Sequence, residues 1–102
     1  MHALTNCHIH TGLSSLEAHA VLIDGRQIVE IVAAEEIPSE ATIMDLDGGH
    51  LAPGFIDVQV NGGGGVMFND APSVETIAQM AKAHRRFGTT GLLPTLITDS
   101  RD

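Results

Sequence analysis

APGFIDVQVNGGGG, residues 52–65, divides the chain into two kinds of sequence. Within it Phe55 to Val60 reads as a β-strand. Side chains on a strand alternate faces, which puts Ile56, Val58 and Val60 on one side and Asp57, Gln59 and Asn61 on the other. The apolar side suits a covering helix. If the polar side is enclosed, each of its three groups needs a partner, a metal or water, because an unpaired buried polar group costs on the order of a few kcal/mol. Periodicity leaves two arrangements open. The strand lines a site at the carboxyl end of a parallel sheet, or its polar face is the wet side of an antiparallel one.

Downstream, Asn61 to Asp70 reads as a loop containing four consecutive glycines, Gly62, Gly63, Gly64 and Gly65. A helix is predicted from Val74 to Phe87, capped by Ser73, with Glu75 in its first turn and a stop at Gly88. Val74, Ile77, Ala78 and Ala81 recur at helical spacing and form its apolar stripe. Leu92 to Ile97 is a second strand, apolar on both faces as parallel strands are. Strand, helix and strand make one βαβ unit with a right-handed crossover. The segment 98–102 reads as a βα loop with a helix N-cap. Two parallel strands and one helix cannot cover both faces of their sheet, so the missing cover is expected from further sequence or from another chain.

Upstream the pattern is one of short strands: Leu4 to Ile9, Ala18 to Ile23, Gln27 to Val32 and Thr42 to Leu46. Asp24-Gly25 reads as a two-residue hairpin turn. Residues 35–39 form a polar break, and Gly48-Gly49 is expected to close the last strand. Hairpins over about fifty residues suggest a small antiparallel sheet.

Composition narrows the function. The chain of 102 residues carries a formal net charge of -8 and three aromatic residues, all Phe, which excludes a nucleic-acid surface built on basic patches and stacking platforms. Its one basic cluster, Lys82, Arg85 and Arg86, sits where a helix C-terminus attracts cations. No apolar run approaches the ~18 residues of a membrane span. A single cysteine, Cys7, forms no internal disulfide and reads as a small buried hydrophobe, and a cytoplasmic location is expected.

The motif APGFID resembles the start of the barrel in the amidohydrolase superfamily. With Gln59-Val60-Asn61-Gly62, Phe68-Asn69-Asp70, Gly88-Thr89-Thr90-Gly91 and LLPTLIT at 92–98, the chain is similar to the N-acetylglucosamine-6-phosphate deacetylase family, most clearly over residues 52–98. The resemblance implies an α/β fold. Residues 1–51 would be a small, sandwich-like β domain, and residues 52–102 the first strand, helix and second strand of an incomplete TIM-like (β/α) barrel. It implies a hydrolase of amino sugar metabolism that converts N-acetylglucosamine 6-phosphate to glucosamine 6-phosphate and acetate, using a divalent metal such as zinc in the complete enzyme. The family's metal ligands and catalytic Asp fall beyond residue 102. No catalytic or metal-ligating residue is therefore expected here, no metal is expected to be bound, and the chain alone is expected to be inactive.

Where most of the superfamily has His-x-His, this chain has Gln59 and Asn61, whose neutral amides are poor ligands for transition metals. The two are expected to hold waters or neighbouring side chains near the metal, with Asp57 as a supporting carboxylate. Gly62 to Gly65 are expected to form a flexible rim to a sugar phosphate pocket, in a pattern that matches no nucleotide-binding loop.

Two other readings compete. The uncovered apolar strand Leu92 to Ile97 suits a short association module, and self-association is expected in either case. His8-Ile9-His10 copies the His-x-His spacing and suggests an independent zinc domain, although no carboxylate or third ligand stands near it in sequence. His2, His19, His50 and His84 show no ligand spacing and read as surface or packing residues.

Overall fold

The computed structural model describes residues 1–98 and 100, and these divide into two compact units, the first ending at Pro53 and the second beginning at Gly54. In the first unit β1 (His2–His10), β2 (Ser15–Leu16), β3 (His19–Asp24), β4 (Gln27–Ala33) and β5 (Thr42–Leu51) form a five-stranded sheet. β1 is its hub. Its start pairs with β3 and its end with β2, both antiparallel, while β5 runs along its other edge.

The β1–β5 pair is parallel, which corrects the expectation of an all-antiparallel sheet. Since β3 is antiparallel to both β1 and β4, β4 and β5 point the same way, and no tight turn joins strands so directed. The connection is a short 3-10 helix, Ala34–Glu36, followed by residues 37–41. Ile37 and Ala41 from this crossover pack on the buried cluster of Ala3, Ala20, Leu22 and Val32. A second cluster is built on Cys7, Ile9 and Val21, and burial raises the pKa of the Cys7 thiol.

β5 continues through Gly48-Gly49 to Leu51 instead of ending there. The register accounts for this: Thr5 faces Asp45 but Cys7 faces Gly49, so β5 carries extra residues opposite Asn6 in a bulge. Asn6 and Asp47 both adopt positive φ at the bulge. Asp45 ties them together, its carboxylate accepting from the Asp47 backbone N–H at 2.8 Å and from Asn6 Nδ2 at 2.9 Å. These two bonds, the backbone one first, hold its carboxyl below the usual carboxylate range. The β3–β4 turn is also displaced by one residue. Asp24 pairs with Gln27, so the central pair is Gly25-Arg26, and positive φ falls on Gly25 alone.

The second unit contains β6 (Phe55–Val60), β7 (Gly62–Gly63), β8 (Val66–Met67), α1 (Val74–Arg85) and β9 (Thr89–Pro94). β6 and β9 pair in parallel with α1 between them, a βαβ unit. β9 begins three residues earlier than predicted, because the chain re-enters the sheet directly after Gly88, where the Phe55 N–H donates to the Gly88 carbonyl at 2.8 Å. It ends at Pro94, which has no N–H to continue a ladder. Ser73 caps α1 as predicted, accepting from the Thr76 N–H at 3.2 Å. The helix stops two residues short of Phe87. The predicted N-cap loop over 98–102 lies outside the described residues at Asp99, Arg101 and Asp102.

Two packing expectations are corrected. The glycine stretch is a hairpin, β7–β8, turned at Gly64-Gly65 with both in positive φ, as a type I′ turn requires. The helix packs on this hairpin through a different face from the predicted stripe. Met80 is 0% exposed and Thr76 is buried, whereas Val74 is 77% exposed. Ile77, Ala78 and Ala81 instead line an open groove of about 920 Å³ with Thr89, Thr90, Gly91 and Leu92. Nor does the helix cover the apolar side of β6, where Ile56 is 75% and Val58 70% exposed and only Val60 is buried.

Candidate functional site

The carboxyl ends of β6 and β9 and the β7–β8 hairpin lie together, and Thr95 joins them. Its backbone N–H donates to the Val60 carbonyl at 2.8 Å. Its hydroxyl accepts from the Val60 N–H at 3.2 Å and donates to the Leu93 carbonyl at 3.0 Å. Asn61, the last of the polar trio, is half-buried, and its Nδ2 donates to the Thr95 carbonyl at 3.4 Å. The Asn61 carbonyl accepts from the Phe68 N–H at 2.8 Å, closing the loop that holds the hairpin. Farther out, Asn69 clamps the backbone of Ile97, donating to its carbonyl at 2.8 Å and accepting from its N–H at 2.9 Å.

Gln59 and Asp57 lie one and two steps back from Asn61 along the same face of β6. Asp57 is half-buried, and its carboxylate accepts from the Gln59 N–H at 3.0 Å, which turns it toward its own backbone. Gln59 is exposed, so its amide is open to solvent. Gly62 to Gly65 are anchored to α1. His84 Nε2 donates to the Gly62 carbonyl and Gln79 Nε2 to the Gly64 carbonyl, each at 2.8 Å. These bonds need the helix close to the glycines, and Cβ atoms added at Gly63 and Gly64 would meet His84 and Ala83.

Sequence reasoning missed Thr95, Asn69 and His84. Asn69 lay in a quoted motif without a role, and a threonine just past a strand carries no signal until the partner strand is known. Chemically, the ends of these strands present amides, a hydroxyl and backbone groups. Among the described residues, no three His, Cys, Asp or Glu side chains gather in a form ready to hold a metal ion.

In the first unit the structure corrects the isolation of His8 and His10. His50 stands opposite His8 across the β1–β5 pair, and Glu17 lies 3.0 Å from His8 Nδ1.

Comparison with known proteins gives this architecture a lineage. The family described as NagA composite domain matches residues 1–51, half of the chain. The chain belongs to that family. Among relatives of this NagA composite domain protein, the N-acetylglucosamine-6-phosphate deacetylase of Haemophilus influenzae is 44% identical over 97 residues, 95% of this chain and 26% of the relative. The N-acetylgalactosamine-6-phosphate deacetylase of a Shewanella species is 63% identical over 54 residues, 53% of this chain and 14% of the relative. The crystal structure of N-acetylglucosamine-6-phosphate deacetylase from Pasteurella multocida superposes with a TM-score of 0.92 at 41% identity, covering 98% of this chain and 26% of that one. The chain thus spans about a quarter of the length of the deacetylases it matches along most of its own length. Among the described residues no helix is long and apolar enough to cross a membrane.

Proposed function

We propose that this chain is the N-terminal part of a metal-dependent deacetylase that hydrolyses N-acetylglucosamine 6-phosphate to glucosamine 6-phosphate and acetate. The observation that carries the reading is a likeness to such deacetylases that runs through both units, at 44% identity over 95% of the chain. On this reading residues 1–51 are the small β domain. Residues 52–102 open a (β/α) barrel in which β6, α1 and β9 are the first strand, helix and second strand. Barrel enzymes work at the carboxyl ends of their strands, where Asn61, Thr95 and the glycine hairpin lie.

The bonds described support the following roles. Asn61 and Thr95 fix the two strand ends against each other, Asp57 fixes the β6 backbone, and the exposed Gln59 amide faces water or a sugar hydroxyl. Gly62 to Gly65 form a rim held to α1, on which backbone groups meet the substrate. The divalent ion implied by the superfamily, zinc or similar, does not fit the trio: Gln59 and Asn61 are neutral amides, and Asp57 is engaged with its own strand. The hydrolytic step therefore belongs to residues outside this chain. The exposed Phe55, Ile56, Val58 and Leu93 side chains favour self-association when the chain is alone. A lone buried thiol in a handler of phosphorylated sugars suits the cytoplasm.

The test is acetate release from N-acetylglucosamine 6-phosphate by the purified chain with added zinc. None above buffer is expected, and zinc-dependent release would contradict the assignment of catalysis to residues outside the chain. A second reading, the C4 epimer N-acetylgalactosamine 6-phosphate as substrate, is favoured by the 63% identity to the Shewanella enzyme. The ratio of kcat/KM for the two epimers in a complete enzyme carrying this chain decides between them.

A further inference from the structure

We infer that His8, His10 and His50 form a binding site for one borderline divalent cation of the zinc class, on the solvent face of the β1–β5 pair. Three strands bring its parts together. His8 and His50 are register partners across the parallel pair, and His10 lies two residues on from His8, hence on the same face. The His50 ring stacks against both others, with centroids 4.9 Å from His8 and 5.1 Å from His10. His10 Nε2 and His50 Nδ1 are 2.8 Å apart and share one hydrogen.

The surroundings are those of metal-binding histidines. Such a histidine turns its second ring nitrogen to a carboxylate or other acceptor, which fixes the tautomer and leaves the remaining lone pair for the ion. His8 Nδ1 is 3.0 Å from the Glu17 carboxylate and His10 Nδ1 3.0 Å from the Ser15 hydroxyl. Donation through these nitrogens leaves His8 Nε2 and His10 Nε2 as ligands, with His50 Nδ1 as the third. In the present rotamers the three do not yet converge, which is why no ready metal group exists among the described residues. Binding requires the three stacked rings to tilt so that their in-plane lone pairs meet at one point, and the His10–His50 hydrogen bond to give way. Two nitrogens on a tetrahedral zinc stand about 3.3 Å apart at bond lengths near 2.0 Å, so the His10–His50 pair opens by about half an ångström and turns its lone pairs outward. The hydrogen on His50 Nδ1 passes through water to its Nε2, so all three ligands bind as neutral imidazoles. Water completes the tetrahedron. His50 is exposed and His8 and His10 are only half-buried, so the rings turn without disturbing the core.

Zinc titrated into the purified chain by calorimetry, and cobalt followed by its visible absorption, tests the site. One equivalent bound per chain, with a tetrahedral cobalt spectrum, is expected. His50→Ala should weaken binding at least tenfold, Glu17→Gln about tenfold through the His8 ring, and His2→Ala not at all. Circular dichroism confirms that each variant is folded. Absence of stoichiometric uptake, uptake undiminished in His50→Ala, or uptake only as zinc joins two chains would overturn the inference.

Discussion

At the residue scale, Gly62 of the β7–β8 hairpin is held by close approach of its neighbours. A Cβ on Gly62 would sit 2.5 Å from the Val66 carbonyl oxygen and 2.6 Å from Met67 Sδ, whereas one on Gly91 would meet Ile56 at an ordinary 3.7 Å. Gly62→Ala should therefore destabilise the unit by about 1–3 kcal/mol, as overpacking does, while Gly91→Ala stays within about 0.5 kcal/mol. Urea unfolding followed by helical ellipticity reads both, since α1 is the one α-helix among the described residues. Equal midpoints for the two variants would show that the close approach of hairpin strands does not matter. The run of glycines was plain in the sequence, but its function in packing was not. A glycine chosen for space looks like one chosen for conformation until the neighbouring atoms are placed. His50 was opaque for a similar reason: forty residues from His10, it joins its neighbours only through the β1–β5 register.

At the scale of the element, α1 shows what local sequence specifies. Ser73 caps the helix at 3.2 Å to the Thr76 N–H and also bonds its hydroxyl at 3.0 Å. Ser73→Ala should cost about 1 kcal/mol in the same urea experiment, with Ser73→Asp recovering most of it. No loss in the alanine variant would mean that packing against the hairpin alone sets the start of the helix. The cap and the strand Phe55–Val60 were legible, because each depends on residues close in sequence, whereas the helix ends at Arg85, two residues before the predicted end. The buried face of α1 was not legible. Its apolar stripe at Val74, Ile77, Ala78 and Ala81 pointed one way, but Thr76 and Met80 are the buried residues, and Gln79 and His84 bond the hairpin. Likewise the parallel addition of β5 had no local sign, since its partner strand lies about forty residues earlier and the crossover between them was read only as a polar break.

At the scale of the whole molecule, the two units are unequal in how much they bury. The first holds most of the buried apolar side chains, while Phe55, Ile56, Val58, Val74, Phe87 and Leu93 in the second are largely exposed. A βαβ unit with open apolar surface is what the start of a larger α/β assembly presents, because parallel sheets are stable when both faces are covered. The motifs at 52–62 and 88–98 made that reading possible before any coordinates. The most direct measurement joins residues 1–98 of this chain to the remaining three quarters of the Haemophilus influenzae deacetylase and records acetate release from N-acetylglucosamine 6-phosphate. An active enzyme is expected, with kcat/KM falling roughly tenfold to a hundredfold in Asn61→Ala through misplacement at the strand ends. A folded, zinc-loaded chimera that releases no acetate, or one indifferent to Asn61→Ala, would contradict that expectation.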